Sequence, residues 1–405
     1  MIMNYLFFYQ KMSVGGCQLL IKKIATNLKQ HGYGAYVFCE SIDEQINNEL
    51  KNSGVVVVKS GTTGWYDDNH IKCMIKSDTH FHRCRVTTFI WSDYIRCLSL
   101  FGKNCKIMFY AVHSFAINRA CQENGIIGHL HRFFLKSTIT SHLKSKLITV
   151  MDEQTAENAI SHYKIPSKKL RCSDCEIIRI PVDTSDILDI DNCTFEKYND
   201  DVWNILAVAR ADFPFKGYLL GLVRLVKKGL IPIKYNVTII SYGDDYSILE
   251  KEILSSDRNQ NNRIRLIGKV DYDELKAYFE KSHIYVGMGT TILDSSKYGV
   301  ISIPVVAYTD KVLANNFFHE DYSNVALKNG SENEFINLLA KFEVMNETER
   351  YQAIIKSQEI VLNHYSTEAC TNHIISSFDS QKKARMFVAR IEYFFRIIKR
   401  KIRNK

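Results

Sequence analysis

The stretch LAVARADFPFKGY, residues 206–218, combines an apolar strand with two cations at its end. Its first residues form a short apolar run, which is typical of a strand covered on both faces. Arg210 follows this run directly, and Lys216 comes six residues later, just before a glycine. A planar bidentate donor and a compact point charge together suit a diphosphate. The stretch therefore predicts either a diphosphate site at a strand end or two solvated loop charges.

The segments on both sides of this stretch alternate between strand and helix. Apolar runs that predict parallel strands in the first half are residues 3–9, GAYVFCE, VVVVK, KIMFYAVH and KLITVM. The runs that predict strands in the second half are NILAVA, NVTIISYG, RIRLIG, IYVGMG and IPVVAY. This pattern predicts an α/β protein with two Rossmann-like domains, whose parallel sheets face a cleft.

Composition shifts along the chain predict the domain organisation. The acidic, polar run from Asp183 to Asp201 is the best linker candidate. The predicted segments are a first domain at 1–185, a linker at 186–201, a second domain at 202–360, a helix at 361–380 returning to the first domain, and a basic tail at 381–405.

The net charge of +9 is confined to the last 25 residues, QKKARMFVARIEYFFRIIKRKIRNK, which hold ten Lys/Arg and one Glu. On a helical wheel the apolar stripe of this tail comprises Phe387, Ile391, Phe394, Phe395, Ile398 and Ile402. A basic amphipathic helix of this kind predicts docking on an anionic membrane, with packing on the protein body as the alternative. Because the rest of the chain is neutral, we expect no nucleic-acid partner.

The location and the absence of cofactors are also expectations from the sequence. No uncharged apolar run reaches the roughly 18–20 residues that a membrane span needs, and the start resembles a strand more than a signal peptide. We therefore expect a cytoplasmic protein. Eleven irregularly spaced cysteines indicate reduced thiols, and the CxxC at 172–175 has no second pair at zinc-ligand spacing. No metal site is predicted.

Three further loops predict ligand contacts at strand ends. Gly15-Gly16 precedes the first helix, where a ligand or simply a tight turn would explain the glycines. Small residues at 287–291 precede a helix whose amides can bind phosphate oxygens. Asp294 is placed in the first turn of that helix, either complementing the helix dipole or accepting sugar hydroxyls. His113 follows a buried strand, where a structural and a functional role are both open.

Taken in order, these motifs resemble the retaining, nucleotide-sugar-using enzymes of GT-B fold called glycosyltransferase family four. SVGGCQLLIKKIATNLKQHGY looks like the amino-terminal glycine loop and helix of that family, and ILAVARADFPFKG looks like its Arg…Lys-Gly phosphate motif. NVTIISYGDD and RIRLIGKVDYDELKAYFEKSHIYVGMG match its next strands in order. ILDSSKYGVISIPVVA looks like its donor-binding helix and the following strand.

The resemblance implies that the domain at 1–185 is the acceptor side and that the domain at 202–360 binds the nucleotide sugar. It also implies a role for each site residue. Arg210 and Lys216 would hold the donor diphosphate, and His113 would sit beside the transferred sugar. The residues implied in donor binding are Gly15, Gly16, Gly243, Gly268, Lys269, Val270, Gly289, Thr290, Thr291 and Asp294. Asp294 occupies the place of the second glutamate of the family, which typically binds ribose. No metal or other cofactor is implied, since fixed cations neutralise the diphosphate.

The implied function is transfer of a sugar from a nucleotide-sugar donor to a glycan or lipid-linked acceptor, as in surface polysaccharide synthesis such as that of lipopolysaccharide. Two departures from the family pattern concern the acids: Val286 stands where the first glutamate would be, and the second is shortened to Asp294. A degenerate, membrane-bound scaffold is therefore one alternative. A nucleotide-sugar epimerase of similar fold is another.

Overall fold

The structure is a computed structural model that describes residues 2–13, 15–101, 103–118, 125–189, 197–198, 200–255, 262–322 and 325–382. The chain divides into two compact units. The first unit comprises the described residues up to Pro181 together with those from Thr367 onward, and the second unit is Val182–Ser366. Most of the predicted basic tail, from residue 383, lies outside the described residues.

A parallel sheet forms the centre of the first unit. The strands of this unit are β1 (Asn4–Phe8), β2 (Lys11–Met12), β3 (Gly34–Cys39), β4 (Ser41–Ile42), β5 (Val56–Lys59), β6 (Cys84–Thr88), β7 (Lys106–Ala111), β8 (Ile148–Val150) and β9 (Glu176–Ile177). Seven of them form one sheet in the order β5-β3-β1-β6-β7-β8-β9, while β2 pairs with β4. Every residue of β3 is buried, as expected for a strand with helices on both faces.

Helices cover the faces of this sheet. The helices of the first unit up to residue 162 are α1 (Gly16–Gln30), α2 (Glu44–Asn52), α3 (Gly61–Trp65), α4 (Asp68–Ser77), α5 (Trp91–Leu100), α6 (Gly125–Lys144) and α7 (Glu153–His162). Apolar residues of α1 recur at helical spacing, so one face, including Ile21, Ile24 and Leu28, is buried against the sheet.

The second unit repeats this arrangement around five parallel strands. They are β10 (Trp203–Arg210), β11 (Tyr235–Tyr242), β12 (Ile264–Ile267), β13 (Ile284–Gly287) and β14 (Ile301–Pro304), in the sheet order β12-β11-β10-β13-β14. The helices are α8 (Tyr218–Lys227), α9 (Tyr246–Leu254), α10 (Tyr272–Glu280), α11 (Thr290–Lys297), α12 (Glu332–Val344) and α13 (Glu347–Ile360). The stretch at residues 206–218 thus contains most of the central strand β10 and leads into α8.

The predicted linker begins later in the sequence than the boundary that the structure shows after Pro181. Asp186 lies against the second unit, where its Oδ1 is 2.7 Å from Lys297 Nζ. Lys297 is fully buried, and a buried ammonium group needs a counter-ion. The Leu188 N–H also donates to the Lys297 carbonyl at 3.0 Å. This buried cation explains why residues 186–189 pack on the second unit.

The predicted helix at 361–380 is interrupted at Ser366. Helical turns continue from α13 to Tyr365 in the second unit, and Ser366 is extended, with φ −63° and ψ 152°. A new helix, α14 (Thr367–Ser380), then packs on the first unit. Phe378 of α14 is fully buried there, with its ring centroid 5.9 Å from that of Tyr5.

The predicted α/β class with two parallel sheets is confirmed for the two units. The predicted amphipathic helix of the tail falls outside the described residues. Within the described ranges, no helix is both long enough and apolar enough to cross a bilayer.

Replacing the α14 anchor by Phe378→Ala is expected to lower the free energy of unfolding of the first unit by about 3–5 kcal/mol, because it removes a buried aromatic ring and leaves a cavity. Urea denaturation followed by circular dichroism measures this loss. The control is Phe133→Ala, since Phe133 is 72% exposed and its loss should cost under about 0.5 kcal/mol. Equal losses in the two variants would contradict the packing of α14.

Candidate functional site

Four segments that are distant in sequence meet at the carboxyl edge of the second sheet. Because β12, β11, β10 and β13 are parallel neighbours, the residues that follow them lie side by side at one edge. These segments are residues 268–270 after β12, Gly243 after β11, Arg210 at the end of β10, and residues 288–291 after β13. Open α/β sheets bind ligands at this edge.

Arg210 ends β10 with its side chain 61% exposed and ion-paired to Asp212, Nη2 to Oδ2, at 2.8 Å. The backbone of Gly243 lies directly against it. A Cβ at residue 243 would be 2.7 Å from Arg210 Cγ and 2.8 Å from the Ala211 carbonyl oxygen, and Gly243 has φ +116°. Residue 243 therefore has to be glycine, because a Cβ would not fit there and because other residues rarely adopt so positive a φ.

Lys216 is half-buried, and its Nζ reaches the loop before α11, where it donates to the Met288 carbonyl at 3.5 Å. Burial lowers the pKa of the Lys216 ammonium group to about 8, against the opposing effect of the Asp212 carboxylate and with a smaller contribution from Arg210. Both site cations thus interact with Asp212, whose charge an incoming anion could replace. The hydrogen bond from Lys216 to the Met288 carbonyl directly links the loop after β10 to the loop after β13.

The loop that carries Lys216 is held by Asp245, which lies just before α9. The Phe213 N–H donates to Asp245 Oδ2 at 2.7 Å. Asp245 precedes α9 but makes no side-chain cap for that helix. Its carboxylate therefore positions the loop between β10 and α8, which no local pattern in the sequence indicated.

The turn between β13 and α11 consists of only Met288 and Gly289. Gly289 has φ +81°, which favours glycine and sets the start of α11 at Thr290. The Gly289 N–H donates a hydrogen bond to the Val325 carbonyl at 2.7 Å. The first N–H groups of α11 have no partner within the helix, as at any helix N-terminus, so they can bind an anion at the carboxyl edge.

Thr290 and Thr291 differ in their surroundings. Thr290 is exposed, whereas the hydroxyl of Thr291 is 2.6 Å from the Tyr285 hydroxyl and donates to the Met288 carbonyl at 3.3 Å. The fully buried Tyr285 also lies 3.2 Å from the Val208 carbonyl of β10. Tyr285 therefore links the start of α11 to the central strand β10. The only signal for this role in the sequence is that a buried phenol needs a hydrogen-bond partner.

Asp294 is placed differently from the prediction. Since α11 begins at Thr290, Asp294 lies in the second turn and not in the first, so the alternative in which it complements the helix dipole is wrong. Asp294 is 5% exposed, accepts a hydrogen bond from the Tyr272 hydroxyl at 2.6 Å, and lies 3.9 Å from Lys297 Nζ. Burial, together with the Asp294 charge, raises the pKa of Tyr272, which keeps the phenol a donor.

The remaining donor-side candidates follow β12. Gly268 and Lys269 are exposed, and Val270 is half-buried against the core that contains Leu275. Val286, at the position of the missing family glutamate, lies fully buried inside β13, between β10 and β14.

Gly15, Gly16 and His113 lie at the carboxyl edge of the sheet in the first unit. Gly15 caps α1 with extended backbone, and a Cβ at Gly16 would meet nothing within 4 Å, so bulk alone does not require glycine there. His113 follows β7 and is exposed. Its Nδ1 accepts from the Phe115 N–H at 3.1 Å, so the neutral ring carries its proton on Nε2.

In the described part of the chain, no three or more His, Cys, Asp or Glu side chains come close enough to hold a metal ion. The expectation that transfer needs no metal stays a prediction.

Comparisons with known proteins give a match in structure but not in sequence. No protein-family model matches the chain, and no curated protein sequence matches it. A glycosyltransferase from Rickettsia africae ESF-5 is similar in structure, with a TM-score of 0.64 and 16% identity over 94% of this chain and 100% of that one. The lipopolysaccharide outer core galactosyltransferase WaaB is also similar, with a TM-score of 0.60 and 11% identity over 94% and 100% of the chains.

A third similar structure is Anabaena Alr3699/HepE in complex with UDP-glucose. Its TM-score is 0.59 at 11% identity, over 93% of this chain and 100% of that one. At such identities the likeness establishes the fold, which is the GT-B fold with two Rossmann-like units. The predicted fold is therefore confirmed, while the role of each site residue stays a prediction.

The contact between residue 243 and Arg210 can be tested by Gly243→Ala. The new Cβ would collide with Arg210 and with backbone and would need a strained φ, so we expect a loss of about 1–3 kcal/mol in unfolding free energy. Urea denaturation measures it. Gly16→Ala is the matched control, because that position is open, and it should stay within about 0.5 kcal/mol of the wild type. A fully stable Gly243→Ala would argue against the described geometry.

Proposed function

We propose that the protein is a glycosyltransferase that moves a sugar from a nucleotide-sugar donor to a glycan or lipid-linked acceptor. The observation that carries the proposal is the arrangement at the carboxyl edge of the second sheet, where Arg210, Lys216 and the N-terminus of α11 come together. The similar structure of HepE holds UDP-glucose, which supports a nucleotide sugar as the donor.

The proposed mechanism is electrostatic. Breaking a sugar–phosphate bond leaves negative charge on the departing diphosphate. Arg210 would bind two phosphate oxygens with its planar guanidinium, Lys216 would supply a point charge, and the N–H groups of Thr290 and Thr291 would donate hydrogen bonds. Donors that are fixed before the reaction stabilise this charge without reorganisation.

The other donor-side residues would hold the nucleoside. Gly268, Lys269 and Val270 would lie near the base, and Gly243 would let the diphosphate approach Arg210. Asp294 would accept hydrogen bonds from the ribose hydroxyls while it also accepts the hydrogen bond from the Tyr272 hydroxyl. For Gly15, Gly16 and His113 of the first unit, a role toward the donor follows from the family resemblance alone, and His113 would donate from Nε2.

The context of the reaction is inferred from resemblance and charge. The similarity to WaaB supports a role in lipopolysaccharide or related surface polysaccharide synthesis. Transfer with retention follows from the family resemblance alone. The basic residues of the 381–405 tail, each contributing at most about 1 kcal/mol near an anionic surface, favour docking on the inner face of the cell membrane.

A degenerate scaffold is the second candidate, and one observation favours it. The family position of the first glutamate is the fully buried Val286, and the remaining acid, Asp294, is already bonded to Tyr272. Hydrolysis or transfer from a nucleotide sugar separates the two candidates, since a scaffold shows neither.

Removal of either site cation is expected to slow the reaction. With the nucleotide sugar that most raises the melting temperature, among UDP-glucose, UDP-galactose and GDP-mannose, Arg210→Ala and Lys216→Ala should each reduce turnover by ~10²–10³. Lys228→Ala is the control, since Lys228 is exposed at the far end of α8. Wild-type turnover in both site variants would exclude the proposed mechanism.

Binding of UDP should depend on pH through Lys216. Only the charged ammonium attracts a diphosphate, and its pKa of about 8 means that the charge is lost as pH rises through that value. We expect the Kd for UDP, measured by calorimetry, to increase several-fold from pH 7.5 to pH 9.5. Lys216→Arg should bind UDP with a nearly constant Kd over this range, because Arg stays charged. The same pH dependence in Lys216→Arg would assign the titration to another group.

A further inference from the structure

A second cluster of polar side chains lies at the carboxyl edge of the sheet in the first unit. The neighbouring strands β5, β3 and β1 are parallel, so the residues that follow them share this edge. Glu40 follows β3 directly, Gln10 lies just beyond β1, and Tyr66 follows the short helix α3 after β5. No motif in the sequence had assigned a function to these three residues.

Glu40 is a buried carboxylate, with 7% of the residue exposed. Its Oε2 accepts a hydrogen bond from Gln10 Nε2 at 2.6 Å. Among the residues that the structure describes, no Lys, Arg or His forms an ion pair with Glu40. A carboxylate that is buried without a cation is costly unless neutral donors satisfy it, and one amide leaves capacity for more donors.

Gln10 connects Glu40 to Tyr66. Its Nε2 is 2.6 Å from Glu40 Oε2 and 2.7 Å from the Tyr66 hydroxyl oxygen. Because an ionised carboxylate can only accept, the nitrogen of the Gln10 amide must face it, which fixes the orientation of the amide. The three side chains therefore form one network with a defined pattern of donors and acceptors.

Tyr66 presents a fixed aromatic surface to solvent. Its residue is 51% exposed, whereas the preceding Trp65 is 2% exposed and stacks on Phe8 with ring centroids 4.6 Å apart. Asp68, two residues later, accepts from Arg96 Nε at 2.6 Å. Anchors on both sides thus hold Tyr66 in place, which lowers the entropy cost of binding a ligand on its ring.

We propose that Gln10, Glu40 and Tyr66 form a carbohydrate-binding site that takes a neutral hexose ring. Hydroxyls of the sugar would donate to the Glu40 carboxylate, and a C–H face of the ring would pack on Tyr66. A site with an aromatic surface and a few fixed polar groups suits such an amphipathic ligand. Calling this sugar the acceptor end of the substrate rests on the proposed function.

The charges around Glu40 favour a neutral sugar over an amine. Lys59 pairs in register with Cys39, the residue before Glu40, and Lys11 follows Gln10. Two further exposed apolar side chains, Ile90 and Phe115, follow β6 and β7, the next strands in the sheet order. The named side chains therefore give this edge no net negative charge that would select an amine, and Ile90 and Phe115 add apolar surface for a longer glycan.

Saturation-transfer NMR on the full chain tests the site with methyl glycosides of glucose, galactose, mannose and N-acetylglucosamine, and with glucosamine as the charged comparison. We expect at least one neutral glycoside to bind, and its Kd to rise at least tenfold in Glu40→Gln and in Tyr66→Ala. Glu40→Gln keeps an acceptor for Gln10, and Tyr66 is exposed, so both variants should fold. Glu44→Gln, at an exposed residue of α2, is the matched control and should bind as the wild type does.

Three outcomes would overturn the site: binding of no neutral glycoside, binding that is unchanged in both variants, or binding of glucosamine only. Calorimetry with UDP on the same samples keeps this test separate from the proposed function. Both site variants should bind UDP with wild-type affinity. If the wild type binds a glycoside at this site but no nucleotide or nucleotide sugar, the transferase proposal fails and the carbohydrate site stands.

Discussion

The parallel register of β10 against β11 is the constraint on which the candidate site of the second unit depends. Eight consecutive residues are paired, from Trp203 with Tyr235 to Arg210 with Tyr242. A slip of one residue would turn every side chain of β10 to the other face, and Arg210 would leave the edge. The register also sets Gly243 against Arg210, where no side chain would fit. The pairing of β10 with β13 adds the loop before α11, so residues separated by about 80 positions in the chain can act on one ligand.

Much of the fold could be predicted from the sequence, because the strands are continuously apolar and short. Where tertiary contacts override local pattern, the sequence was not sufficient. The acidic run that suggested a linker starts with residues bound to the second unit, because Lys297 is buried and attracts Asp186. The sequence around Ser366 shows no interruption of its helical pattern, yet the chain passes there from the second unit to the first.

The site was predictable where a residue follows a strand and carries an evident chemistry, as Arg210 and the glycine before α11 do. It was not predictable where a side chain holds a backbone group that is distant in the sequence. Asp245 holds the Phe213 N–H, and nothing near residue 245 indicates this. The Gln10–Glu40–Tyr66 network did leave a signal, since a polar residue ends each of the apolar runs NYLFFYQ and GAYVFCE, but the bond between them needs the parallel sheet.

A crystal structure of the full chain with UDP tests the central claim most directly, because it locates the diphosphate. The account predicts phosphate oxygens within hydrogen-bond distance of the Arg210 guanidinium, Lys216 Nζ and a backbone N–H at the start of α11. It also predicts that Asp212 no longer pairs with Arg210 in the complex. UDP bound elsewhere on the chain, or bound at this edge with both cations directed away from the phosphates, would contradict it.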